Sequence, residues 1–170
     1  MNFQITNYQG TQKEDEEIAT LLIRVFVEEG YTDKSRAEKI FTPEELRKRG
    51  EIILARSSAG ELLGMVICVR PTSPACQVAK KDESEIQLLA VYPKVRGQGI
   101  ASSVIMACEQ RCASFGYSKV VLSTQPTTNA AHHVYKQLGY MRNPKRDWSD
   151  GIKRYHVYEK SIPQNRIPEE

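Results

Sequence analysis

Long apolar runs, an excess of charge of one sign and a targeting segment are all missing from this 170-residue sequence. No stretch approaches the ~18 apolar residues that a membrane span needs. Lys and Arg number 24 against 21 for Asp and Glu, which argues against a dedicated nucleic-acid binder because such a protein carries a strongly basic face. The first residues lack a basic segment followed by an apolar one, so a secretory signal is not indicated. We therefore expect a cytoplasmic protein with no nucleic-acid partner and no membrane partner.

Cysteine is also scarce, with four residues at Cys68, Cys76, Cys108 and Cys112. Their spacing is not the C-x-x-C spacing that is typical of metal sites. Cys108 and Cys112 lie four residues apart on a predicted helix, where small apolar side chains would serve equally well. The sequence therefore predicts reduced thiols in the core and no bound metal.

Hydrophobic periodicity and turn residues predict one domain over residues 1–162 and a frayed C-terminal tail over 163–170. Thr11 and Glu14 form a capping box ahead of the first helix, and a second helical region over 35–49 is interrupted near Pro43. A helix is predicted after residue 99, and its apolar residues from Val104 to Phe115 are expected to lie on one buried face. Strands are predicted over 3–8, 51–57, 62–70, 85–92 and 119–124, followed by a helix over 128–138 and a closing pair of strands from Tyr140 and over 153–160. This order favours a mixed α/β sheet with helices on both faces.

The segment "VYPKVRGQGIASSV", Val91 to Val104, joins a predicted strand to a predicted helix through a loop with two glycines. Gly97 and Gly99 permit backbone angles that other residues resist, which a simple turn would also require. A dinucleotide-binding fingerprint is disfavoured, because Ser102 stands at the third glycine position and no acid follows at the ribose-binding distance. The unpaired N–H groups of the first helical turn, with the helix dipole, instead make an anion site that fits a pyrophosphate.

Two segments carry a resemblance to a known family. "LLAVYPKVRGQGIASSVI", Leu88 to Ile105, resembles the acetyl-CoA-binding core of the GNAT superfamily of N-acetyltransferases. "NAAHHVYKQLGY", Asn129 to Tyr140, is similar to the second signature of that family, and the order of elements matches over nearly the whole chain. The resemblance implies the GNAT fold, an α/β (α+β) domain with a mixed sheet of about seven strands that splays between strands 4 and 5. It also implies transfer of an acetyl group from acetyl-CoA to a primary amine, by direct attack in a ternary complex.

The resemblance assigns most cofactor contacts to the backbone. The pyrophosphate should bind N–H groups of a loop formed by Arg96, Gly97, Gln98, Gly99, Ile100 and Ala101. The Leu89 amide should face the thioester carbonyl, where one backbone donor contributes a few kcal/mol, and the Val91 backbone should pair with pantetheine. Many family members carry Asn seven residues before the catalytic tyrosine. That position is Thr128 here and Asn129 follows it, so either residue could make the contact with CoA.

The resemblance also assigns two catalytic side chains. Tyr135 should protonate the departing CoA thiolate. Glu85 occupies the strand position of a catalytic glutamate in some members, and it stands four residues, or ~13 Å along an ideal strand, before Leu89, so a water relay is expected. The other candidates for the general base are Glu83, Glu28 and Glu29. Of the neighbouring His132 and His133, at most one faces the cleft, because adjacent helical residues point about 100° apart.

Acceptor residues follow from the resemblance only in outline. In GNAT folds, the acceptor pocket is bordered by the connection between the last two strands and also by the first two helices. These positions point to Tyr31, Trp148 and Asp150, and Trp148 is expected in the turn. A small-molecule amine is favoured because no appended recognition domain is evident. Two alternatives stay open, namely a protein or peptide acetyltransferase acting on lysine or an N-terminal amine, and a catalytically weak CoA-binding regulatory module. The expected partners are acetyl-CoA and the amine, and a homodimer is left open.

Overall fold

A computed structural model describes residues 1–163 of the chain. The strands are β1 Phe3–Asn7, β2 Glu51–Ser57, β3 Leu62–Val69, β4 Glu83–Val91, β5 Lys119–Thr124, β6 Met141–Arg142, β7 Trp148–Ser149 and β8 Arg154–Ser161. The α-helices are α1 Gln12–Leu22, α2 Lys34–Ile40, α3 Pro43–Arg49, α4 Ile100–Ser114 and α5 Asn129–Gln137. The tail predicted over 163–170 lies, from residue 164 onward, outside the described residues.

The strands form one mixed sheet in the order β1-β2-β3-β4-β5-β8-β6, and β7 pairs with β8. All neighbouring strands are antiparallel except β4 and β5, which are joined through α4. A parallel pair requires such a crossover connection, so the sequence order strand–helix–strand fixes the direction of β5. The predicted mixed α/β fold is therefore confirmed, with two short strands that bring the number within residues 1–163 to eight.

The sheet separates two apolar layers, because side chains alternate between the faces of a strand. Along β2, Ile53 and Ala55 pack in the layer that contains α4 and α5. Ile52 and Leu54 pack in the opposite layer, which contains α1, α2 and α3. The prediction of helices on both faces is confirmed.

Helix ends follow their local sequence signals. Thr11 Oγ1 accepts the Glu14 N–H at 3.2 Å, and the Glu14 carboxylate accepts the Thr11 N–H at 3.4 Å, which completes the predicted capping box. Thr42 caps α3, and Pro43 occupies the start of that helix, where a missing N–H costs nothing. These caps explain why the predicted interruption near Pro43 separates α2 from α3.

Two sequence predictions about aromatic residues are wrong. Phe115 is not part of the buried side of α4, because its side chain is 39% exposed. The Arg70 guanidinium carbon stacks over its ring, 3.7 Å from the ring centroid. The reason for this exposure is that α4 ends at Ser114, so Phe115 no longer follows the helical face. Trp148 does not lie in a turn, because it pairs with Tyr155 as part of the two-residue strand β7.

The position of α4 depends on close packing against β3 and β4. A Cβ placed on Gly64 would lie 2.9 Å from the Ala90 carbonyl oxygen and 3.0 Å from Ile100 Cγ2. Any side chain at Gly64 would therefore push the first turn of α4 away from the end of β4. This glycine keeps the N-terminus of α4 beside the strand that leads into it.

Candidate active site

The sheet opens at its centre, between β4 and β5. The two strands pair in parallel only from Glu83–Lys119 to Ile86–Leu122. β4 continues to Val91 and β5 to Thr124, so both strands extend beyond their last pairing. The opening agrees with the predicted splay between strands 4 and 5.

A bulge in β4 lies beside this opening. Leu88 and Leu89 together stand opposite Val66 of β3, where the register shifts. Leu88 has φ of 51°, in the left-handed region, which costs a non-glycine residue roughly 1–2 kcal/mol. The extra residue also reverses the alternation of faces, since Ile86 and Leu89 pack in the α4 layer whereas Leu88 packs in the other. The backbone of β4 therefore changes direction just beyond the point where its pairing with β5 ends.

The opening leads into a cleft of about 430 Å³. Of the residues predicted from the sequence, those that line it are Tyr135, Glu85, Leu89, Thr128, Tyr31, Trp148 and Asp150. Those that do not line it are Val91, Asn129 and the loop over 96–101. One cleft therefore contains both predicted catalytic side chains and all three predicted acceptor residues, with the glycine loop beyond its end.

Tyr135 combines a buried ring with a hydroxyl that is available to the cleft. The side chain is 5% exposed, and its ring lies 6.1 Å from the ring of Tyr140 and 6.0 Å from that of Tyr158. Within residues 1–163, no group forms a hydrogen bond with the hydroxyl. Burial, and secondarily Tyr158, holds the pKa of Tyr135 well above its usual value, so the phenol keeps its proton at neutral pH. Such a phenol can donate a proton to an anion that forms in the cleft.

Glu85 is held by several donors from the loop that precedes β4. The side chain is 1% exposed, and its carboxylate accepts the N–H of Val78 at 2.7 Å and the N–H of Gln77 at 3.0 Å. The Gln87 side-chain amide donates to the same carboxylate at 2.5 Å. Glu85 therefore anchors this loop as well as lining the cleft, a role that the sequence did not indicate.

The other carboxylates considered as general bases do not line the cleft. Glu83 is 3% exposed and pairs with Arg146 at 2.8 Å. Glu28 pairs with Arg24, and Glu29 pairs with Arg96 at 3.0 Å. Among these candidates, Glu85 is the one that the structure brings to the same cleft as Tyr135.

Thr128 and Asn129 differ in their position relative to the cleft. Thr128 lines it, and its hydroxyl lies 2.5 Å from the Thr124 hydroxyl and donates to the Gln125 carbonyl at 2.8 Å. Asn129 is exposed at the start of α5. Thr128 is therefore the better placed of the two to contact a ligand in the cleft.

His132 and His133 differ in surroundings, as helical geometry requires. His132 Nε2 lies 3.1 Å from the Gln125 carbonyl oxygen, and its ring packs 5.6 Å from that of Tyr158. Burial lowers the pKa of His132, which favours the neutral ring. His133 is exposed. His132 thus ties the start of α5 to the end of β5.

The glycine loop provides a row of backbone donors. Gly97 and Gly99 have φ of 79° and 84°, and no atom lies within 4 Å of a Cβ placed on either. Gly99 is the N-cap of α4, and the first turn receives no side-chain cap. Within the described chain, the N–H groups of residues 97–102 have no acceptor. Together with the positive end of the α4 dipole, these donors form an anion site.

The Arg96 side chain is already committed to the protein. Its Nε donates to the Val91 carbonyl at 3.2 Å, and its Nη2 lies 3.0 Å from a Glu29 carboxylate oxygen. Arg96 therefore fixes the end of β4 to the segment after α1. The backbone N–H groups of the loop are therefore more available to an anion than the Arg96 guanidinium is. The Val91 carbonyl already accepts one hydrogen bond, from Arg96.

The three predicted acceptor residues lie together at the mouth of the cleft. Trp148 stacks on Tyr155 at 4.5 Å between ring centroids and donates its Nε1–H to Ser123 Oγ at 2.8 Å. Asp150 accepts the N–H of Lys153 at 2.7 Å; the backbone donors lower the pKa of its carboxyl to about 2. The Tyr31 carbonyl accepts hydrogen bonds from Lys153 and Gln125, which fixes the segment after α1 against this mouth.

Sequence patterns missed two parts of the cleft wall. The first is a π-helical turn over Ile23–Val27 that extends α1 and brings Phe26 to the cleft, 5.8 Å from the ring of Phe41. The second is Arg49, the last residue of α3, which lines the cleft although the sequence indicated only that it ends a helical region. A wide helical turn shows no sequence period of its own, and the burial of Arg49 depends on residues distant in sequence.

Three of the four cysteines meet in the core, which their spacing did not indicate. The sulfur atoms of Cys68, Cys108 and Cys112 lie within 4.8 Å of one another, and Cys68 Sγ is 3.3 Å from Cys112 Sγ. All three are buried free thiols, in agreement with the predicted core thiols. The absence of a metal stays a prediction.

Residues 15–140 match the family model of the acetyltransferase (GNAT) family. No curated protein matches the sequence.

In the part of the chain that the structure covers, none of the helices has the length and apolar composition that a membrane crossing needs.

Solved structures share the fold at low sequence identity. An acetyltransferase of the GNAT family from Staphylococcus aureus Mu50 matches with a TM-score of 0.75 and 15% identity, over 95% of this chain and 100% of that one. PaiA N-acetyltransferase from Thermoplasma acidophilum, in complex with coenzyme A, matches with a TM-score of 0.74 and 13% identity, over 95% and 100%. The ribosomal-protein-S18-alanine N-acetyltransferase from Escherichia coli matches with a TM-score of 0.66 and 13% identity, over 99% of each chain.

Proposed function

The chain belongs to the acetyltransferase (GNAT) family, and from this premise we propose that it transfers the acetyl group of acetyl-CoA to the primary amine of a small molecule. The observation that carries the proposal is the hydroxyl of the buried Tyr135 side chain, which lies in a cleft at the opening of the sheet and has no hydrogen-bond partner within residues 1–163. A proton donor at that place suits a reaction that releases a thiolate. The backbone donors at the start of α4 suit the pyrophosphate of the co-substrate.

The residues present fit acetyl-CoA. Within the described residues, the six N–H groups over 97–102 have no acceptor and no atom lies within 4 Å of a Cβ placed on Gly97 or Gly99, which gives donors and room for a pyrophosphate. The open stretch of β4 after Ile86 offers backbone groups along the path from this loop to the cleft. Thr128 and Leu89 line the cleft near that path, and we assign Leu89 N–H to the thioester carbonyl. Coenzyme A supplies the activated acetyl thioester.

Each group in the reaction then has one task. The neutral amine attacks the thioester carbon, a C–N bond forms, and the C–S bond breaks with its electron pair going to sulfur. Tyr135 donates its proton to that sulfur, and its raised pKa ensures that the phenol is still protonated when the thiolate forms. Before the attack, the ammonium proton of the acceptor passes through water to Glu85, and as the amide forms the remaining excess proton on its nitrogen is lost to solvent. Tyr135 recovers a proton from solvent after CoA leaves.

The proposed base can be tested by replacing Glu85 with glutamine. Glu85→Gln should lower kcat/KM near neutral pH by roughly tenfold or more, because the amine then has no acceptor for its proton. The loss should shrink as the pH rises toward the pKa of the acceptor amine, since a free amine in solution needs no base. CoA affinity should change by no more than about twofold, because Glu85 lies far from the anion site.

Glu83→Gln is the matched control for this change. Glu83 is a buried carboxylate on the same strand, but it pairs with Arg146 and does not line the cleft. Both variants lose one buried negative charge, so thermal unfolding should report similar destabilisation. Equal kinetic loss in both variants, or a loss in Glu85→Gln that does not depend on pH, would remove Glu85 from proton transfer.

A protein acceptor is the second candidate, and one observation favours it. The ribosomal-protein acetyltransferase described above shares the fold over 99% of both chains. Assays with small amines, lysine peptides and peptides with free N-termini, each with acetyl-CoA, separate the two. Acetylation of the small amines at higher kcat/KM supports the proposal, whereas acetylation of peptides alone overturns it in favour of the second candidate. CoA binding without transfer to any acceptor would favour a regulatory module.

A further inference from the structure

Arg49 is a partly buried cation with little to balance it. It ends α3, lines the cleft, and donates from Nη1 to the Gln87 side-chain oxygen at 2.8 Å. Within residues 1–163, no carboxylate lies within ion-pair distance of its guanidinium. A guanidinium has five donors, so most of them are left for a molecule that enters the cleft.

Among the described residues, the acidic side chains of the cleft form no ion pair with Arg49, and each already has donors. Glu85 accepts two backbone N–H groups and the Gln87 amide. Asp33 caps α2, and Asp150 accepts two backbone N–H groups and lies 3.4 Å from Arg36. Burial is the main influence and lowers the pKa of Arg49, although the charges of Glu45 and Glu85 act in the opposite direction.

Arg49 is also connected to the proposed proton acceptor. Gln87 receives a hydrogen bond from Arg49 on its oxygen and donates from its nitrogen to Glu85 at 2.5 Å and to the Ala75 carbonyl at 2.7 Å. The three side chains therefore form a row of cation, amide and carboxylate beside the bulge of β4. A molecule that carries an anionic group and an amine close together matches the two ends of this row.

Other side chains that line the cleft are apolar or aromatic. They include Phe26, Ile40, Phe41, Trp148 and Tyr155. Phe26 packs against Phe41, and Trp148 stacks on Tyr155, so neighbouring rings support each other in the lining of the cleft. An apolar substituent on the acceptor would be favoured by burial against them.

We propose that the acceptor is an α-amino acid with an apolar or aromatic side chain, and that Arg49 binds its carboxylate. The inference rests on the proposed acetyltransferase function and specifies its substrate class. A guanidinium binds a carboxylate through two parallel hydrogen bonds, which would hold the α-amine at a fixed distance from Gln87 and Glu85. Arg49 acts here as a specificity residue, with no part in bond making.

The test compares each amino acid with the amine that lacks only its carboxylate. The pairs are L-phenylalanine with 2-phenylethylamine and L-leucine with 3-methylbutylamine, each measured for acetyl transfer and for binding to the protein–CoA complex by calorimetry. The proteins are the unmodified chain, Arg49→Gln, Arg49→Lys and the control Lys48→Gln. Lys48 is exposed on the same helix and pairs with Glu44 and Glu45, so its loss changes the net charge equally without touching the cleft.

The unmodified protein should prefer the amino acid in each pair. Arg49→Gln should weaken binding and kcat/KM for the amino acids by roughly thirtyfold or more, and change those for the decarboxylated amines by no more than about twofold. Arg49→Lys should recover part of the loss because it keeps the charge without the fork, and Lys48→Gln should behave as the unmodified protein. Thermal unfolding shows whether the Arg49 variants are folded.

The outcomes separate this inference from the proposed function. Carboxylate binding that requires Arg49, without transfer to any acceptor, supports the inference and overturns the acetyltransferase proposal. Transfer to amines with no preference for the carboxylate, or an equal loss for both members of a pair in Arg49→Gln, overturns the inference and keeps the proposal. Failure of the unmodified protein to bind any of the amino acids also overturns the inference.

Discussion

Replacing Tyr135 with phenylalanine should lower kcat for acetyl transfer by roughly tenfold to a hundredfold, because the CoA thiolate then leaves without a proton donor. The ring packs between Tyr140 and Tyr158, so the phenylalanine ring keeps the same neighbours and only the hydroxyl is lost. The affinity for CoA should stay within about twofold, since the anion site at the start of α4 is unchanged. Steady-state kinetics with a saturating acceptor, together with calorimetry for CoA, measure both quantities.

Tyr140→Phe provides a close control for this variant. Tyr140 is an equally buried tyrosine, its ring lies 6.1 Å from that of Tyr135, and it does not line the cleft. Its hydroxyl is buried without a hydrogen-bond partner among residues 1–163, so its removal should leave kcat unchanged and raise stability by about 1 kcal/mol. Unchanged kcat in Tyr135→Phe, or equal loss in both variants, would exclude Tyr135 as the proton donor.

Replacing Gly99 with glutamate should weaken CoA binding by roughly a hundredfold or more, because a carboxylate would occupy the space and the positive potential that the pyrophosphate needs. Among the described residues, no atom lies within 4 Å of a Cβ placed on Gly99, so the first carbon of the new side chain meets no steric obstacle. The substitution also forces a non-glycine residue into φ of 84°, at a cost of roughly 1–2 kcal/mol to stability. Calorimetry with CoA at fixed salt measures the affinity.

Gly60→Glu separates the charge effect from the backbone strain. Gly60 has the same φ of 84°, also has no atom within 4 Å of its Cβ position, and lies in the hairpin between β2 and β3. Both variants should unfold at similarly lowered temperatures, but Gly60→Glu should bind CoA as the unmodified protein does. Normal CoA affinity in Gly99→Glu would show that the pyrophosphate does not bind at the start of α4.

The parts of the fold that sequence predicted are those with local signals. The capping box at Thr11, the start of α3 at Pro43 and the glycine loop ahead of α4 each depend on residues a few positions apart. Such signals act through backbone hydrogen bonds and allowed dihedral angles, which hardly depend on the rest of the chain. The family resemblance then placed Tyr135, Glu85 and Leu89, which the structure brings into one cleft.

The parts that sequence missed depend on contacts between distant segments. Arg49 meets Gln87 across 38 residues, and the acidic residues near it in sequence gave no sign that its side chain is partly buried. The bulge at Leu88 inserts one residue into a run of apolar residues, where either face is compatible with the pattern. The role of Glu85 as an anchor for residues 77 and 78 likewise follows from the path of a loop, which no periodicity specifies.

The most direct test of the account uses acetyl-CoA that carries an isotopic label in its acetyl group, incubated with the protein and the α-amino acids, with products identified by mass spectrometry. We expect a labelled N-acetyl amino acid that forms at the same rate as free CoA, and we expect Tyr135→Phe to lower that rate. Label that appears only in free acetate, or that stays on CoA while the protein binds it, would contradict acetyl transfer to an amine in this cleft.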